Sequence, residues 1–226
     1  MFRACMFRAC SVAAALGLAA LMLGQSGGAA AQASAPDVAA FLAGRSKDCP
    51  GCNLAGAKLK RRDLTGANLA GANLVEASFH RALLRGANLA GADLSEALMG
   101  SIRLAGGKLD GANLTEADLE AAQLDDASFA GARLEGANLH QGRMLRANLR
   151  GAVADGADFT GANMREVNLH GAALRQSIFF LADLGVADLS AADMSYAVLR
   201  SANLTSANQA GTVLTGAMMP DNTIHP

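Results

Sequence analysis

The chain has 226 residues, with 19 basic and 20 acidic side chains, four cysteines and no tryptophan. Although 51% of the residues are apolar, only 4% are aromatic, so Ala, Leu and Gly must supply the bulk of any core. The near-neutral balance argues against a dedicated nucleic-acid binder, which should be clearly basic, and against a strong DNA mimic, which should be clearly acidic.

Residues 1–33 have the pattern of a secretory signal peptide. Two arginines precede an apolar run at 12–23, and the run leads to the small-residue cleavage pattern Ala31-Gln32-Ala33. The run is shorter than the roughly 20 apolar residues that cross a bilayer, so we expect cleavage before Ser34 and no transmembrane segment afterwards. The mature protein would then be periplasmic or secreted. A retained N-terminal anchor is the alternative.

Residues 34–51 predict a short helical cap followed by a turn. Asp37 is the expected helix N-cap and Gly44 the expected stop. The apolar face of this helix consists of Val38, Phe41 and Leu42. It should cover the first unit of the array that follows, because the terminal units of a solenoid need a cap. A flexible leader is the alternative.

Residues 52–219 contain a repeat of five residues. From Leu54 to Met219 a large apolar residue recurs at every fifth position, and only Ala154 and Gln209 depart from Leu, Phe or Met. Two residues before each comes a small one, usually Ala. A period of five fits neither a helix nor a continuous strand, so the chain must turn at every repeat. We expect a β-solenoid with Ala and Leu inside, followed by a tail at residues 220–226.

The positions between Ala and Leu should point outward. Asn and Asp dominate them, and we expect the two to be interchangeable, as at Asn113 and Asp93, whereas Leu114 is buried. One column of asparagines at steps of twenty should hydrogen-bond along the solenoid or to nearby turns. It contains Asn68, Asn88, Asn148, Asn168 and Asn208.

Glycines indicate how many repeats make a coil. They recur every twenty residues from Gly71 to Gly211, with one break at Ala191. Twenty residues are four pentapeptides, so the coil should have four sides. A single glycine column is expected if one corner needs a backbone conformation that Gly adopts cheaply.

The motif Ala-(Asn/Asp)-Leu-x-Gly, as in residues 67–71, resembles the pentapeptide-repeat family over nearly the whole mature chain. The resemblance implies an all-β fold, the right-handed quadrilateral β-helix, with four pentapeptides per coil and about eight coils at a spacing near 4.8 Å. It further implies protein partners. Some cytoplasmic members resemble B-form DNA and bind type II topoisomerases, and some members form end-to-end dimers.

Cys49 and Cys52 are the only cysteines left after removal of the signal peptide. Outside the cytoplasm two such close thiols favour a structural disulfide, with buried thiols as the alternative. A thiol-disulfide exchange protein would need a Cys at a helix start, and here the pair opens a solenoid.

Near the C-terminus, apolar residues occupy positions that should face outward. They are Ile178, Phe180, Leu181, Val198 and Met218. An apolar patch beside an open last coil predicts a protein interface, with a homodimer through the C-terminal end as one form. The alternative is that residues 220–226 fold back as a lid, with Ile224 covering the end.

Charged residues are sorted between opposite faces of the expected coil. The acidic set is Glu76, Asp93, Glu96, Glu116, Glu135 and Asp155, and the basic set is Arg85, Arg103, Arg143, Arg146 and Arg165. Such asymmetry can orient a charged partner.

No nucleophile is paired with a base in the sequence, and the four histidines are too far apart for a metal site, so neither an enzyme nor a cofactor is expected. The sequence favours a non-enzymatic structural or protein-binding scaffold of the bacterial cell envelope, with an unidentified protein partner and no nucleic acid. The alternatives are a DNA-mimic regulator of a type II topoisomerase and a thiol-disulfide exchange protein using Cys49 and Cys52.

Overall fold

The structure, a computed structural model, describes residues 35–226. The predicted signal peptide at residues 1–33 lies outside the described residues. One helix, α1 (Ala35–Leu42), precedes the repeat array. None of the helices in the described part is long and apolar enough to cross a membrane.

The array is a coil of twenty residues per turn. Eight successive parallel bridges join Asn53 to Val213 in one column, each linking residues twenty apart. Every coil has four faces of three residues, joined by corners of two residues. In the first coil faces 1, 2, 3 and 4 are residues 52–54, 57–59, 62–64 and 67–69, and each face continues at steps of twenty. Each bridge involves a single residue on either side, so residues 35–226 contain no strand longer than one residue.

Adjacent coils are held together by backbone hydrogen bonds on every face. The N–H of Leu54 donates to the carbonyl of Asn73 at 2.7 Å, and the N–H of Asn73 donates back to Cys52 at 2.8 Å. A third bond joins the corners, where Gly56 donates to Val75 at 2.8 Å. The backbone of each internal coil is therefore satisfied by its two neighbours.

The interior is filled by the large apolar residue of almost every repeat and by the residue two positions before it, which is usually Ala. Leu114, Leu149 and even Ala154, which replaces a leucine, are fully buried. On face 2, the rings of Phe159 and Phe179 stack with centroids 4.9 Å apart and planes 6° apart. The inward phase predicted from the period of five is confirmed.

The expectation that only one corner of the coil needs the conformation favoured by glycine was wrong. The second residue of all four corner types adopts positive φ, whether it is a glycine such as Gly66 (70°) or a larger residue such as Arg61 (57°) or Glu76 (56°). The reversal of direction needs the left-handed conformation at every corner. The glycine column therefore marks the corners at which the sequence avoids the cost of positive φ in a larger residue.

Helix α1 packs on the start of the array with two of the three predicted residues, and only Leu42 departs from the prediction. Phe41 is fully buried, Val38 packs against the core and Leu42 is exposed by 51%. The Arg62 guanidinium lies 4.8 Å from the centre of the Phe41 ring and donates to the Phe41 carbonyl at 2.7 Å. Asp37 lies in the first turn and is not the N-cap, because the helix begins at Ala35.

The boundaries of the array also differ slightly from those predicted. Pairing between coils begins at Cys49, whose N–H donates to Asn68 at 2.9 Å, three residues before the predicted start at 52. Gly44, with φ of 73°, donates to the carbonyl of Phe41 and lies just after the helix, where the stop was predicted.

The C-terminal tail turns back on face 2. Ile224 forms an antiparallel bridge with Met218, and the N–H of Met219 donates to Thr223 at 2.8 Å. Ile224 itself is 59% exposed, and Leu204 and Leu214 of the last coil stay half-buried. The tail therefore extends one face and does not close the end.

Candidate interaction surfaces

The two cysteines are joined in a disulfide at the entrance to the array. Their Cα atoms lie 5.4 Å apart, and both residues are fully buried, with Cys52 in the small-residue position of face 1. Exchange requires a thiolate to reach one of the sulfur atoms. Burial of both residues therefore fits a structural link between the cap and the first coil better than exchange chemistry.

The outward asparagines form a ladder that also fixes the turns. The Asn88 amide donates to Asn68 Oδ1 at 3.2 Å, and each of these Oδ1 atoms accepts the backbone N–H two residues later, from Ala90 and Ala70. This is the role predicted for the asparagine column. It leaves few donors free for a ligand on face 4 in the first two coils.

Asn and Asp are not interchangeable at outward positions where the residue in the coil before is an aspartate. The Asn113 amide donates to Asp93 Oδ1 at 3.0 Å, and Asn138 donates in the same way to Asp118. An aspartate at 113 would have no amide donor and would place a second carboxylate against Asp93. An amide can donate to the carboxylate in the coil before it and a second carboxylate cannot, so an asparagine stacked on an aspartate contributes a hydrogen bond between coils.

Ion pairs neutralise the C-terminal part of the arginine-bearing side around face 3. Arg146 binds Asp126 through two hydrogen bonds of 2.8 and 2.9 Å. Arg143 donates to Asp125 at 2.8 Å, and Arg165 lies 3.6 Å from Asp183. The Arg146 guanidinium keeps the pKa of Asp126 below its usual value. These exposed pairs add little stability, but they leave no large field of one sign on this stretch.

The predicted C-terminal patch is contiguous on face 2 and its corners, but most of it is partly covered. Leu181 is 58% exposed, whereas Ile178, Phe180 and Val198 are half-buried. The Arg200 guanidinium lies 5.5 Å from the Phe180 ring, and the tail pairs with Met218.

The sequence analysis missed two apolar residues near the C-terminal end that are more exposed than most of the predicted patch. Tyr196 is 62% exposed at the corner between faces 1 and 2, and Val186 is 53% exposed at the corner between faces 3 and 4. Both have φ of 61°, a conformation that is costly for a β-branched or bulky residue. Glycine or a polar residue occupies these corners in many other coils. A search for apolar residues at corner positions would have found them.

The last coil presents unpaired backbone on three faces. Within the described residues, the N–H groups of Leu204, Gln209 and Leu214 have no backbone partner, and these positions belong to faces 3, 4 and 1. Face 2 carries the tail. Unpaired N–H groups at an edge are a template for another chain.

Histidine and acidic side chains do not gather into a metal site in residues 35–226. His170, one of the four histidines, lies with Nδ1 2.9 Å from Ser190 Oγ, and that hydroxyl donates to Asp188 at 2.6 Å. The Ser190 hydroxyl keeps the pKa of the Asp188 carboxyl low, so this group stabilises a turn.

A four-sided solenoid with a filled interior and a period of five defines the class of this protein. Eight copies of the family model "Pentapeptide repeats" match residues 63–100, 103–141, 143–179 and 182–219, which is more than half of the chain. The chain therefore belongs to the pentapeptide-repeat family, whose members fold as right-handed quadrilateral β-helices.

Solved structures of the same family are similar to the chain. HetL, a pentapeptide repeat protein involved in heterocyst differentiation regulation from the cyanobacterium Nostoc sp. strain PCC 7120, is 29% identical, and the match covers 83% of this chain and 98% of HetL with a TM-score of 0.52. QnrB1, a plasmid-mediated fluoroquinolone resistance protein, is 19% identical over 73% of this chain and 84% of its own, with a TM-score of 0.43. No curated protein matches the chain.

Proposed function

We propose that this protein is a non-enzymatic scaffold that binds protein partners in the bacterial cell envelope. The observation that carries the proposal is the exposed apolar end of a rod whose interior is already filled by its own side chains. Leu181, Val186 and Tyr196 are each more than half exposed, next to a last coil with unpaired N–H groups. Together they favour contact with another polypeptide over binding of a small molecule.

One partner that fits this end is a second copy of the chain. The edges on faces 1, 3 and 4 remain open, and Leu181 and Tyr196 flank face 2, where the tail extends the coil. A homodimer through the C-terminal end would cover these groups on both copies at once. Self-complementary contact of this kind is common in symmetric oligomers.

The association is tested by replacing Leu181 and Tyr196 with Ser. We expect the dissociation constant of the homodimer to rise by about tenfold or more, because two anchors at the interface are lost. Ser201 and Ser206 already stand at corners with positive φ, so the fold should persist. Sedimentation at several concentrations gives the dissociation constant, and circular dichroism checks the fold.

Leu98→Ser is the matched control. Leu98 lies on face 2 and is 49% exposed, but it is six coils from the tail pairing at Met218, so its replacement should leave the dissociation constant unchanged. An equal effect of both variants would contradict an interface at the C-terminal end. So would a wild-type chain that sediments as a monomer at all accessible concentrations.

Export is proposed from the N-terminal pattern. We expect the mature chain to begin at Ser34, because the cleavage pattern ends at Ala33. Intact-mass analysis of the protein recovered from periplasm, medium and cytoplasm checks the cleavage site and the compartment together. A full-length cytoplasmic chain would contradict export and favour the DNA-mimic alternative.

A further inference from the structure

A shallow depression opens on the side of the first four coils, at the corner that leads into face 3. Its volume is about 390 Å³, which is in the size range of small-ligand sites. The lining residues are Arg61, Arg81, Leu83, Ser101, Arg103 and Gln123. Five of these six side chains can donate hydrogen bonds, and none carries a negative charge.

The register of the solenoid forces these arginines together. Arg61 and Arg81 hold the same corner position in successive coils, where the N–H of Arg61 donates to His80 and that of Arg81 to Gly100, both at 3.1 Å. Arg103 lies on face 3, bridged to Leu83 on one side and Gln123 on the other. Neighbouring coils are about 4.8 Å apart. Stacked like charges at this spacing repel one another unless an anion lies between them.

These three arginines differ from most arginines of the later coils. Within the described residues Arg61, Arg81 and Arg103 form no ion pair and no side-chain hydrogen bond, whereas Arg133, Arg143, Arg146, Arg165 and Arg175 are all paired with carboxylates. The side chains of Ser101 and Gln123 are also without a hydrogen-bond partner there. The depression therefore brings together five side-chain donors that have no hydrogen-bond or ion-pair partner within the described residues.

Two of the carboxylates near the depression, Asp63 and Asp125, already have partners. Asp63, next to the depression on face 3, accepts the N–H of Thr65 at 3.0 Å and lies 3.2 Å from Lys47. The Thr65 hydrogen bonds, followed by Lys47, lower the pKa of Asp63 to about 2, so this acid is ionised but already bound. Asp125, on the far side, accepts Arg143. Glu120, at the first residue of the same corner in the fourth coil, forms no ion pair within the described part.

We propose that this depression binds the phosphate group of a ligand, and that Arg61, Arg81 and Arg103 are the main residues that bind the phosphate. Three guanidinium groups are matched by a phosphomonoester or a diphosphate, because a phosphomonoester carries about two negative charges and a carboxylate one. Guanidinium donors bind phosphate oxygens in pairs, and Ser101 and Gln123 supply further donors at the rim. The volume of about 390 Å³ leaves room for a phosphate attached to a larger molecule, either a soluble phosphorylated compound or a lipid headgroup.

The test compares two sets of arginine variants with equal loss of charge. The site variant carries Arg61→Gln, Arg81→Gln and Arg103→Gln, and the control carries Arg133→Gln, Arg146→Gln and Arg165→Gln. Glutamine suits the site because Gln141 holds the same corner position as Arg61, and Gln123 the same face position as Arg103. The first probe is pyrophosphate, whose binding is measured by calorimetry at physiological salt. The second is phosphatidylcholine vesicles with and without phosphatidate, and their binding is measured by flotation.

We expect the site variant to weaken binding by about tenfold or more, while the control changes it by less than about twofold. Binding of pyrophosphate that depends on the site supports a soluble phosphorylated ligand, and binding of phosphatidate vesicles that depends on it supports a lipid headgroup. The proposal is overturned if the control weakens binding as much as the site variant, or if the wild-type chain binds neither probe. Arg103→Gln alone, which should give a partial loss, serves if the triple variant folds poorly.

Discussion

Leu149→Asp should lower the free energy of unfolding by at least about 4 kcal/mol and leave much of the chain unfolded. Leu149 is fully buried, its N–H donates to Asn168 at 2.7 Å, and its side chain belongs to the continuous apolar interior. A carboxylate there has no cation or hydrogen-bond donor to replace its water. Urea denaturation followed by circular dichroism measures the loss.

Asn148→Asp is the matched control, since it introduces the same side chain one position away. Asn148 points outward, its Oδ1 accepts the N–H of Arg150 at 3.2 Å, and its stacking partners are Ser128 and Asn168 rather than a carboxylate. An aspartate can accept the same N–H, as Asp158 does from Thr160. We expect a change within about 1 kcal/mol. Equal denaturation midpoints for the two variants would contradict the assignment of the two positions to inside and outside.

The period of five was sufficient to predict the interior because the repeats share one backbone conformation and point the same positions inward. Most large apolar residues have a small neighbour two positions before them and the same turn after them, so one assignment extends to the whole array; Arg62, Ile102 and Val167 are larger exceptions at the small position. Even Ala154, where the pattern weakens, remains inside. Sequence reasoning was less successful where the array ends: the fold-back of residues 220–226 was only the alternative, and Ile224 bridges Met218 instead of covering the end.

Contacts between side chains of adjacent coils were only partly accessible from the sequence. A register of twenty places Arg146 directly next to Asp126, and that pair could have been predicted. Arg143 instead reaches across to Asp125, eighteen residues away, because a long side chain is not confined to its own column. The same freedom explains why the unpaired state of Arg61, Arg81 and Arg103 emerges only from the structure.

Hydrogen bonds between the outward Asn and Asp side chains of adjacent coils constrain which of the two residues can stand at each position. Asn203 and Asn208 each donate to an aspartate in the coil before, at 2.8 and 3.0 Å. Each of those aspartates in turn accepts a backbone N–H, from Gly185 and Ser190. The choice between Asn and Asp in one coil therefore depends on the choice in the next, and this coupling is absent from a consensus motif.

Phe41→Ala should expose the first coil and release the cap helix. Phe41 is fully buried, and its loss removes an apolar contact worth about 3 kcal/mol or more together with the Arg62 contact on its ring. Because each unit of a solenoid contacts only its neighbours, the effect should be concentrated at residues 35–69, while the later coils remain protected. Hydrogen exchange read by mass spectrometry gives protection for each segment. Leu42→Ala, on the same helix but at a residue that is 51% exposed, should leave the exchange pattern unchanged. Equal protection of residues 35–69 in the wild-type chain and Phe41→Ala would show that the helix does not cap the array.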